Sequence, residues 1–373
     1  MKRLAIVRMR GHPIDPQTYN VQEIGFAKAL HHWEVDIYSR ITDAYRDREI
    51  SLLQSRRWRI REINGVIAPG YQVIDFSILT KLKNGNYNVI QVHELDTLML
   101  PFIIWAMRNT SVKIIVWNGI YRNYSSFGYY IQFIYEKLIY PYLKEKISHI
   151  FCKTKQSKEF VKSKGFDRLS VLPIGLDVDN LITKASLPTD ITQFLSNGNH
   201  SLLYIGTIEK RRNPNFLIDI LELLKHQGEK VNLLIIGSGP NQEELKSYIK
   251  LKKLNTSVLF QREVQQSNIN KLLSCVDLVL LPTHYEIFGM IILEALSSGV
   301  PVISSAEAGP TEIIQDRVLG EIVGWSVIDW VNAIKRQLEY SNDNDKEYRK
   351  NHIHKRYSWI SIAKRYNKKI ESL

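Results

Sequence analysis

Cysteine is nearly absent from the 373-residue chain: only Cys152 and Cys275 occur, far apart and without metal-ligand spacing. That excludes a disulfide framework, and two free, buried thiols in a reducing compartment are expected. Long apolar runs are also missing, and none approaches the ~20 residues of a membrane-spanning helix. The opening Met1-Lys2-Arg3-Leu4-Ala5-Ile6-Val7-Arg8 is charged again at its eighth residue. That is too short for a secretory leader and reads as a first strand. The expected location is cytoplasmic, including the cytoplasmic face of the inner membrane as a peripheral protein. There is no internal repeat, no low-complexity tract and no Asp-x-Asp metal pair at a strand end. Nucleic-acid-binding signatures are absent too, so no nucleic-acid partner is expected.

Acidic residues are in short supply: 50 Lys+Arg stand against 38 Asp+Glu, a net +12. Residues 1–195 carry 27 basic and 18 acidic side chains, and residues 196–373 carry 23 and 20. The first half therefore holds most of the surplus. This is either a solvated surface or attraction to an anionic partner such as a membrane surface or a lipid-linked diphosphate.

What is present is alternation. Short β-branched runs at Leu4–Val7, Val35–Tyr38, Gly65–Ile67, Val89–Val92, Lys113–Trp117, His149–Phe151 and Ser170–Leu172 are separated by helical patterns such as Val21–His31 and Tyr129–Glu145. The pattern loosens over 176–200 and then restarts with strands at Ser201–Ile205, Val231–Ile236, Ser257–Phe260, Leu278–Leu281 and Val302–Ser304. Such alternation predicts an α/β protein with two Rossmann-like, doubly wound parallel sheets. Ligands in such sheets bind beyond the carboxyl ends of the strands, here in a cleft between the two domains. The expected domains are 1–190, 191–345, and a basic, aromatic helix over 346–373.

The most informative run is Thr283-His284-Tyr285-Glu286-Ile287-Phe288-Gly289-Met290-Ile291-Ile292-Leu293-Glu294-Ala295. It places Glu286 in a loop beyond a strand and Glu294 on the helix that starts there. A helix start attracts anions, so carboxylates beside it are suited to hydroxyls rather than to the anion. Together they point to a nucleotide-sugar site. Gly206-Thr207 follows another strand and leads to Lys210-Arg211-Arg212. Arg212 is the predicted diphosphate partner, because a guanidinium grips phosphate oxygens bidentately. Gly237-Ser238-Gly239-Pro240 reads as a tight strand-to-helix turn. Arg262 and Val264 follow a further strand end, where a nucleobase could lie. In the first half, His93 and Asn118 each close a strand, with Tyr121 just beyond. The aromatic stretch 124–142 and the cluster Arg56–Arg61 combine rings and basic charge; each reads as an interfacial surface or as ordinary core and solvated helix face.

The glutamate pair around Phe288-Gly289 and the following Glu294-Ala295-Leu296-Ser297-Ser298-Gly299-Val300-Pro301 resemble the retaining glycosyltransferases of family 4, which have the GT-B fold. Gly237-Ser238-Gly239-Pro240, Ala308-Gly309-Pro310-Thr311-Glu312 and Leu172-Pro173-Ile174-Gly175 add to the resemblance. It implies that residues 1–190 bind the acceptor, that 191–345 bind the donor, and that the final helix crosses back to the first domain. It also implies that Glu286 holds donor-sugar hydroxyls and Glu294 the ribose diol. The backbone of Ile287, Phe288, Gly289 and Met290 would line the sugar and diphosphate, with Gly206, Thr207, Arg212, Arg262 and Val264 completing the donor site. Gly11, His93, Asn118 and Tyr121 fall on the acceptor side, with Glu286, Arg212 and His93 as candidates for the chemistry. The chain departs from the family pattern where Thr207 replaces an arginine, Arg212 a lysine, and Asn118 a histidine. The activity so implied is transfer of a hexose from a UDP- or GDP-sugar to a glycan or lipid-linked acceptor, without metal or other cofactor. A GT-B sugar-nucleotide epimerase and a non-catalytic partner subunit are the alternatives.

Overall fold

Runs rich in valine, isoleucine and leucine become parallel strands, and the stretches between them become the crossover helices that parallel pairing requires. The computed structural model describes residues 1–11, 13, 14, 21–41, 57–178, 186–339 and 342–373. It forms two units, Met1–Gly175 with Trp359–Leu373, and Leu176–Ser358.

The strands of the first unit are β1 (Lys2–Val7), β2 (Trp33–Ser39), β3 (Trp58–Glu62), β4 (Val66–Ala68), β5 (Gln72–Ile74), β6 (Val89–His93), β7 (Lys113–Asn118), β8 (His149–Cys152) and β9 (Leu169–Val171). Among the described residues, seven of them make one sheet in the order β3-β2-β1-β6-β7-β8-β9. All neighbours in it are parallel. Around it run α1 (Gln22–Ala29), α2 (Ser77–Asn84), α3 (Leu100–Ala106), α4 (Phe127–Leu138), α5 (Tyr140–Lys146) and α6 (Lys155–Ser163). Ala5, Val7, Ile90, Val92, Ile114 and Val116 form the centre of its core.

Three local expectations change. The strand expected at Gly65–Ile67 is β4, which pairs antiparallel with β5 outside the main sheet. The edge strand is instead β3, within the cluster read as an interfacial surface or a solvated helix face; Arg56 lies outside the described residues. Its period is two: Trp58 and Ile60 are buried, while Arg59 and Arg61 reach the buried Asp36 at 2.9 and 3.2 Å. These arginines neutralise a carboxylate of their own sheet rather than facing a partner. The helix expected over Tyr129–Glu145 is broken at Ile139. Pro141 sits in the first turn of α5, where its missing N–H is tolerated but could not continue α4.

The second unit contains α7 (Thr189–Leu195), β10 (His200–Ile205), α8 (Pro214–His226), β11 (Val231–Ile236), α9 (Gln242–Leu251), β12 (Val258–Gln261), α10 (Gln266–Leu273) and β13 (Leu278–Leu281). It continues with α11 (Met290–Ser297), β14 (Val302–Ser305), α12 (Ala308–Ile313), β15 (Gly320–Val323), α13 (Val327–Glu339) and α14 (Asp343–Tyr357). Its parallel sheet runs β12-β11-β10-β13-β14-β15. Cys152 is buried in β8, but Cys275 is exposed in the turn before β13, so only one of the two free thiols is buried as expected.

The first boundary lies at Gly175 rather than near 190, and the tail expected as one helix over 346–373 is two. Ser358 adopts an extended backbone between α14 and α15 (Trp359–Glu371). Helix α14 stays with the second unit because the buried Arg349 donates to the carbonyls of Val318 and Gly299, the latter at 2.9 Å. Helix α15 belongs to the first unit. There Tyr366 meets Phe26 edge-on at 5.0 Å, and Trp359 lies against Gly25 and Gly175. A Cβ on Gly25 would stand 2.2 Å from Trp359 Nε1, and one on Gly175 2.5 Å from the same indole. Gly25→Ala is therefore expected to destabilise the protein by ~1–3 kcal/mol through overpacking. Gly324→Ala, which meets nothing within 4 Å, should be near neutral. Urea unfolding of the two variants beside wild type checks this; equal midpoints would refute the packing argument.

Candidate functional site

In the second unit the strand order reverses between β10 and β13, so the loops that follow these strands diverge and leave a crevice. Gly206 ends β10 and Gly237 ends β11. A Cβ on Gly237 would lie 1.9 Å from the Gly206 carbonyl oxygen, so the two loops touch backbone to backbone. Ile208 N–H donates to Ser238 O and Asn241 N–H to Ile208 O, each at 3.0 Å. The Gly237–Pro240 segment is thereby a braced turn. Thr207 carries an exposed side chain, and its carbonyl accepts from Tyr204 Oη at 3.0 Å.

A helical turn at Lys210–Arg212 is tied to the loop after β13. The His284 N–H donates to Arg211 O at 2.8 Å, Arg211 Nη1 donates to Tyr285 O, and Arg212 Nη1 donates to Glu286 Oε2. Arg212 Nε is buried and has no hydrogen-bond partner. The guanidinium is thus half used, with an orphan donor in a largely dry setting. The other oxygen of Glu286 accepts the Phe288 N–H at 3.3 Å. Gly289, at φ +84°, turns the chain into α11. Behind this loop Gly309 packs so closely that a Cβ there would sit 2.0 Å from Phe288 O. Gly309 N–H also donates to Glu286 O at 3.3 Å. Glu286, Ile287, Phe288, Gly289, Met290 and Arg212 are therefore brought together at one helix start.

Glu294 lies one turn further along α11 and is buried. Its carboxyl has no hydrogen-bond or charged partner among the described residues, and burial alone pushes it up to about 7. A buried carboxyl without donors is poised for a ligand that brings them, such as a vicinal diol. Arg262, exposed, and Val264, half-buried, follow β12 on the same edge of the sheet. They lie two strands from β10, ~10 Å away by strand spacing, and do not join the Arg212–Glu286 cluster. A stack missed by the sequence reading joins it instead: His284 lies over Trp325 with ring centroids 3.9 Å apart. Their separation of 41 residues carries no sequence signal.

In the first unit the acceptor-side candidates are mostly engaged with the scaffold. The N–H of Gly11, at φ +98°, donates to Tyr71 O at 3.2 Å. His93 is buried, with Nδ1 3.2 Å from Glu23 Oε1 and Nε2 3.2 Å from the Gln91 amide. Burial raises the Glu23 pKa, but Arg8 and His93 outweigh it and hold the group well below the usual range. Asn118 accepts from Leu95 N at 3.2 Å and donates to Ile120 O and Ser157 Oγ at 2.9 and 3.1 Å, which fixes the end of β7. Tyr121 is half-buried, with the Arg122 guanidinium 5.5 Å from its ring centre. The groups that collect beyond β6 are others. Glu94, at φ +66°, pairs with Lys153 at 3.1 Å and accepts the Gly119 N–H at 2.8 Å. Asp96 pairs with Arg10 at 2.6 Å and accepts from Tyr124 Oη. Burial outweighs Arg10 and raises the Asp96 pKa, and its Oδ1 has no partner. The two carboxylates of His93-Glu94-Leu95-Asp96 were visible in the sequence; only the fold surrounds them with Arg10, Tyr124 and Lys153. Among the described residues no group of three His, Cys, Asp or Glu side chains is arranged to hold a metal ion.

Residues 190–356 match the family model described as glycosyl transferases group 1. Over that segment, a little under half of its length, the chain is similar to this family. An uncharacterized glycosyltransferase of Methanocaldococcus jannaschii is 30% identical over 172 residues, 44% of this chain and 42% of that protein. A D-inositol 3-phosphate glycosyltransferase of Arthrobacter sp. is 28% identical over 176 residues, again 42% of its length. The chain thus spans less than half of the curated relatives it matches. Across whole chains, sucrose-phosphate synthase from Thermosynechococcus elongatus superposes with a TM-score of 0.75 at 18% identity, covering 100% of this chain and 99% of its own. The Anabaena protein HepE, solved with UDP and glucose, gives 0.72 at 17% identity over 100% of both. The fold of the chain is GT-B.

The buried Glu294 has a consequence for stability. Its folded-state pKa is raised to about 7 from 4.5, so between these values the folded state binds more protons than the unfolded one. Stability must then fall as pH rises through that window, by up to ~3 kcal/mol at 1.36 kcal/mol per unit. Relative to Glu294→Gln, wild type is expected to lose about this much between pH 4.5 and pH 8 in urea unfolding. A difference that does not change with pH would contradict the assignment.

Proposed function

We propose that the chain is a retaining, metal-independent glycosyltransferase. In this reading it moves a hexose from a UDP- or GDP-sugar to an acceptor hydroxyl on a lipid-linked or cell-surface polysaccharide precursor, made at the cytoplasmic face of the membrane. The observation that carries it is the Arg212–Glu286 pair at the Gly289 helix start, with an orphan Arg212 Nε and an unpartnered Glu294 on the same helix. The group 1 family match supports the reaction class, and the UDP and glucose bound by HepE support a nucleotide-sugar donor.

The roles follow from charge. Glu294 accepts the ribose hydroxyls and so prefers to be ionised with the donor bound. Glu286 accepts donor-sugar hydroxyls, which releases Arg212 to the diphosphate. As the bond from the anomeric carbon to the phosphate oxygen breaks, negative charge grows on that oxygen, where Arg212 and the positive end of α11 stabilise it. The acceptor oxygen bonds to the anomeric carbon on the face the diphosphate leaves, and the acceptor proton passes to a phosphate oxygen. The Arg212 guanidinium supplies the counter-charge, so the step needs no metal.

Calorimetry with UDP, GDP, ADP and NAD tests the donor site. One nucleoside diphosphate should bind selectively and lose at least tenfold in affinity in Glu294→Ala, with wild-type affinity rising as pH passes through about 7. Absence of binding to folded wild type would overturn the reading in favour of a partner subunit. Arg212→Ala should lower kcat for acceptor-dependent donor consumption by ~10²–10³-fold. Product with inverted anomeric configuration would refute retention, and isomerised donor formed without acceptor would point to an epimerase.

A further inference from the structure

Helix α4 is built inside out. At ~100° per residue, Tyr130, Ile131, Phe133, Ile134, Lys137 and Leu138 fall on one arc about 160° wide. That arc is exposed: Tyr130 by 65%, Ile134 by 56% and Leu138 by 71%. The polar residues point inward. The buried Gln132 accepts the Tyr124 N–H at 2.8 Å, Glu136 takes Lys164 Nζ at 2.8 Å, and Tyr135 Oη donates to Thr97 O at 3.1 Å. A surface helix of a soluble domain normally does the reverse. Here polar bonds anchor the helix and its apolar side is left uncovered, at a real cost in water.

We propose that this arc is a membrane-docking face, with α4 lying in the headgroup plane of an anionic bilayer. Charge argues for that occupant. Lys137 is the one charged side chain on the arc, and its ammonium lies 5.7 Å from the Phe133 ring centre, so its stem covers apolar surface while its head can reach a phosphate. Arg122 precedes the helix, and Lys144 and Lys146 follow it. Glu136 is spent on Lys164, which leaves Glu145 as the remaining acid of the segment 121–146. Basic residues beside an aromatic and aliphatic stripe, tyrosine included, suit the boundary between headgroups and acyl chains. Among the described residues no helix is long and apolar enough to cross a membrane, so attachment through α4 is shallow. This inference stands on the helix and does not rest on the transferase reading.

Co-sedimentation of the full chain with phosphatidylcholine vesicles, with and without phosphatidylglycerol, tests it. Wild type should sediment with the anionic vesicles and at least tenfold less with the neutral ones. The double variant Ile134→Glu/Leu138→Glu should lose at least tenfold in vesicle binding, and Lys137→Glu should reduce the preference for anionic lipid. All three substitutions change exposed side chains, so in both variants unfolding midpoints and nucleoside diphosphate binding should match wild type. That separates failure of docking from failure of the donor site. Wild type that stays in the supernatant, or a double variant that sediments equally well, would overturn the proposal. A wild-type dimer that becomes a monomer in the double variant, seen by light scattering, would also overturn it and assign the face to a second copy.

Discussion

The geometry around Arg212 and Glu286 depends on two places where backbone touches backbone. Gly309 lies against Phe288, and Gly237 against Gly206; a single methyl at either place would fall about 2 Å from a carbonyl oxygen. The first contact sets the loop that ends in Gly289 and so aims Glu286. The second sets the loop that leads to Arg212. Only after both loops are held can Arg212 and Glu286 meet across 74 residues of sequence. The ion pair is therefore a product of tight loop packing, and it keeps two strong charges in place at a site that would otherwise be desolvated and uncompensated.

Two glutamates with seven residues between them are given opposite environments. Glu286 has an arginine and a backbone N–H, and it stays tied into a polar network. Glu294 has burial alone, which moves its titration to the physiological range. Of the two carboxylates, the second gains most from any hydrogen-bond donor brought to it, because its own surroundings supply none. The first unit shows a related contrast beyond β6, where Glu94 is held low by Lys153 and Asp96 is raised by burial in spite of Arg10.

Much of this was legible in the sequence. The α/β class followed from alternating strand and helix patterns, and the junction of β13 with α11 from a strand, a loop glutamate and Gly289. The resemblance drawn from those residues agrees with the group 1 match over 190–356. What escaped was set by contacts distant in sequence. Residues 58–62 look basic and helical until the period-two burial of Trp58 and Ile60 is seen against Asp36 in β2. His93 and Asn118 look available at their strand ends, but Glu23, Gln91, Leu95 and Ser157 engage them.

The sequence by itself determined most of the order of elements, the two parallel sheets and the residues that arrive at the carboxyl ends of their central strands, because periodicity and glycine placement are local properties. The tertiary structure alone decided the charge state and availability of those residues. It paired Arg212 with Glu286, left Glu294 without a donor, closed His93 into a buried network and turned the apolar side of α4 outward. Burial and hydrogen bonding depend on what packs against a side chain from elsewhere in the chain, and no local pattern encodes that.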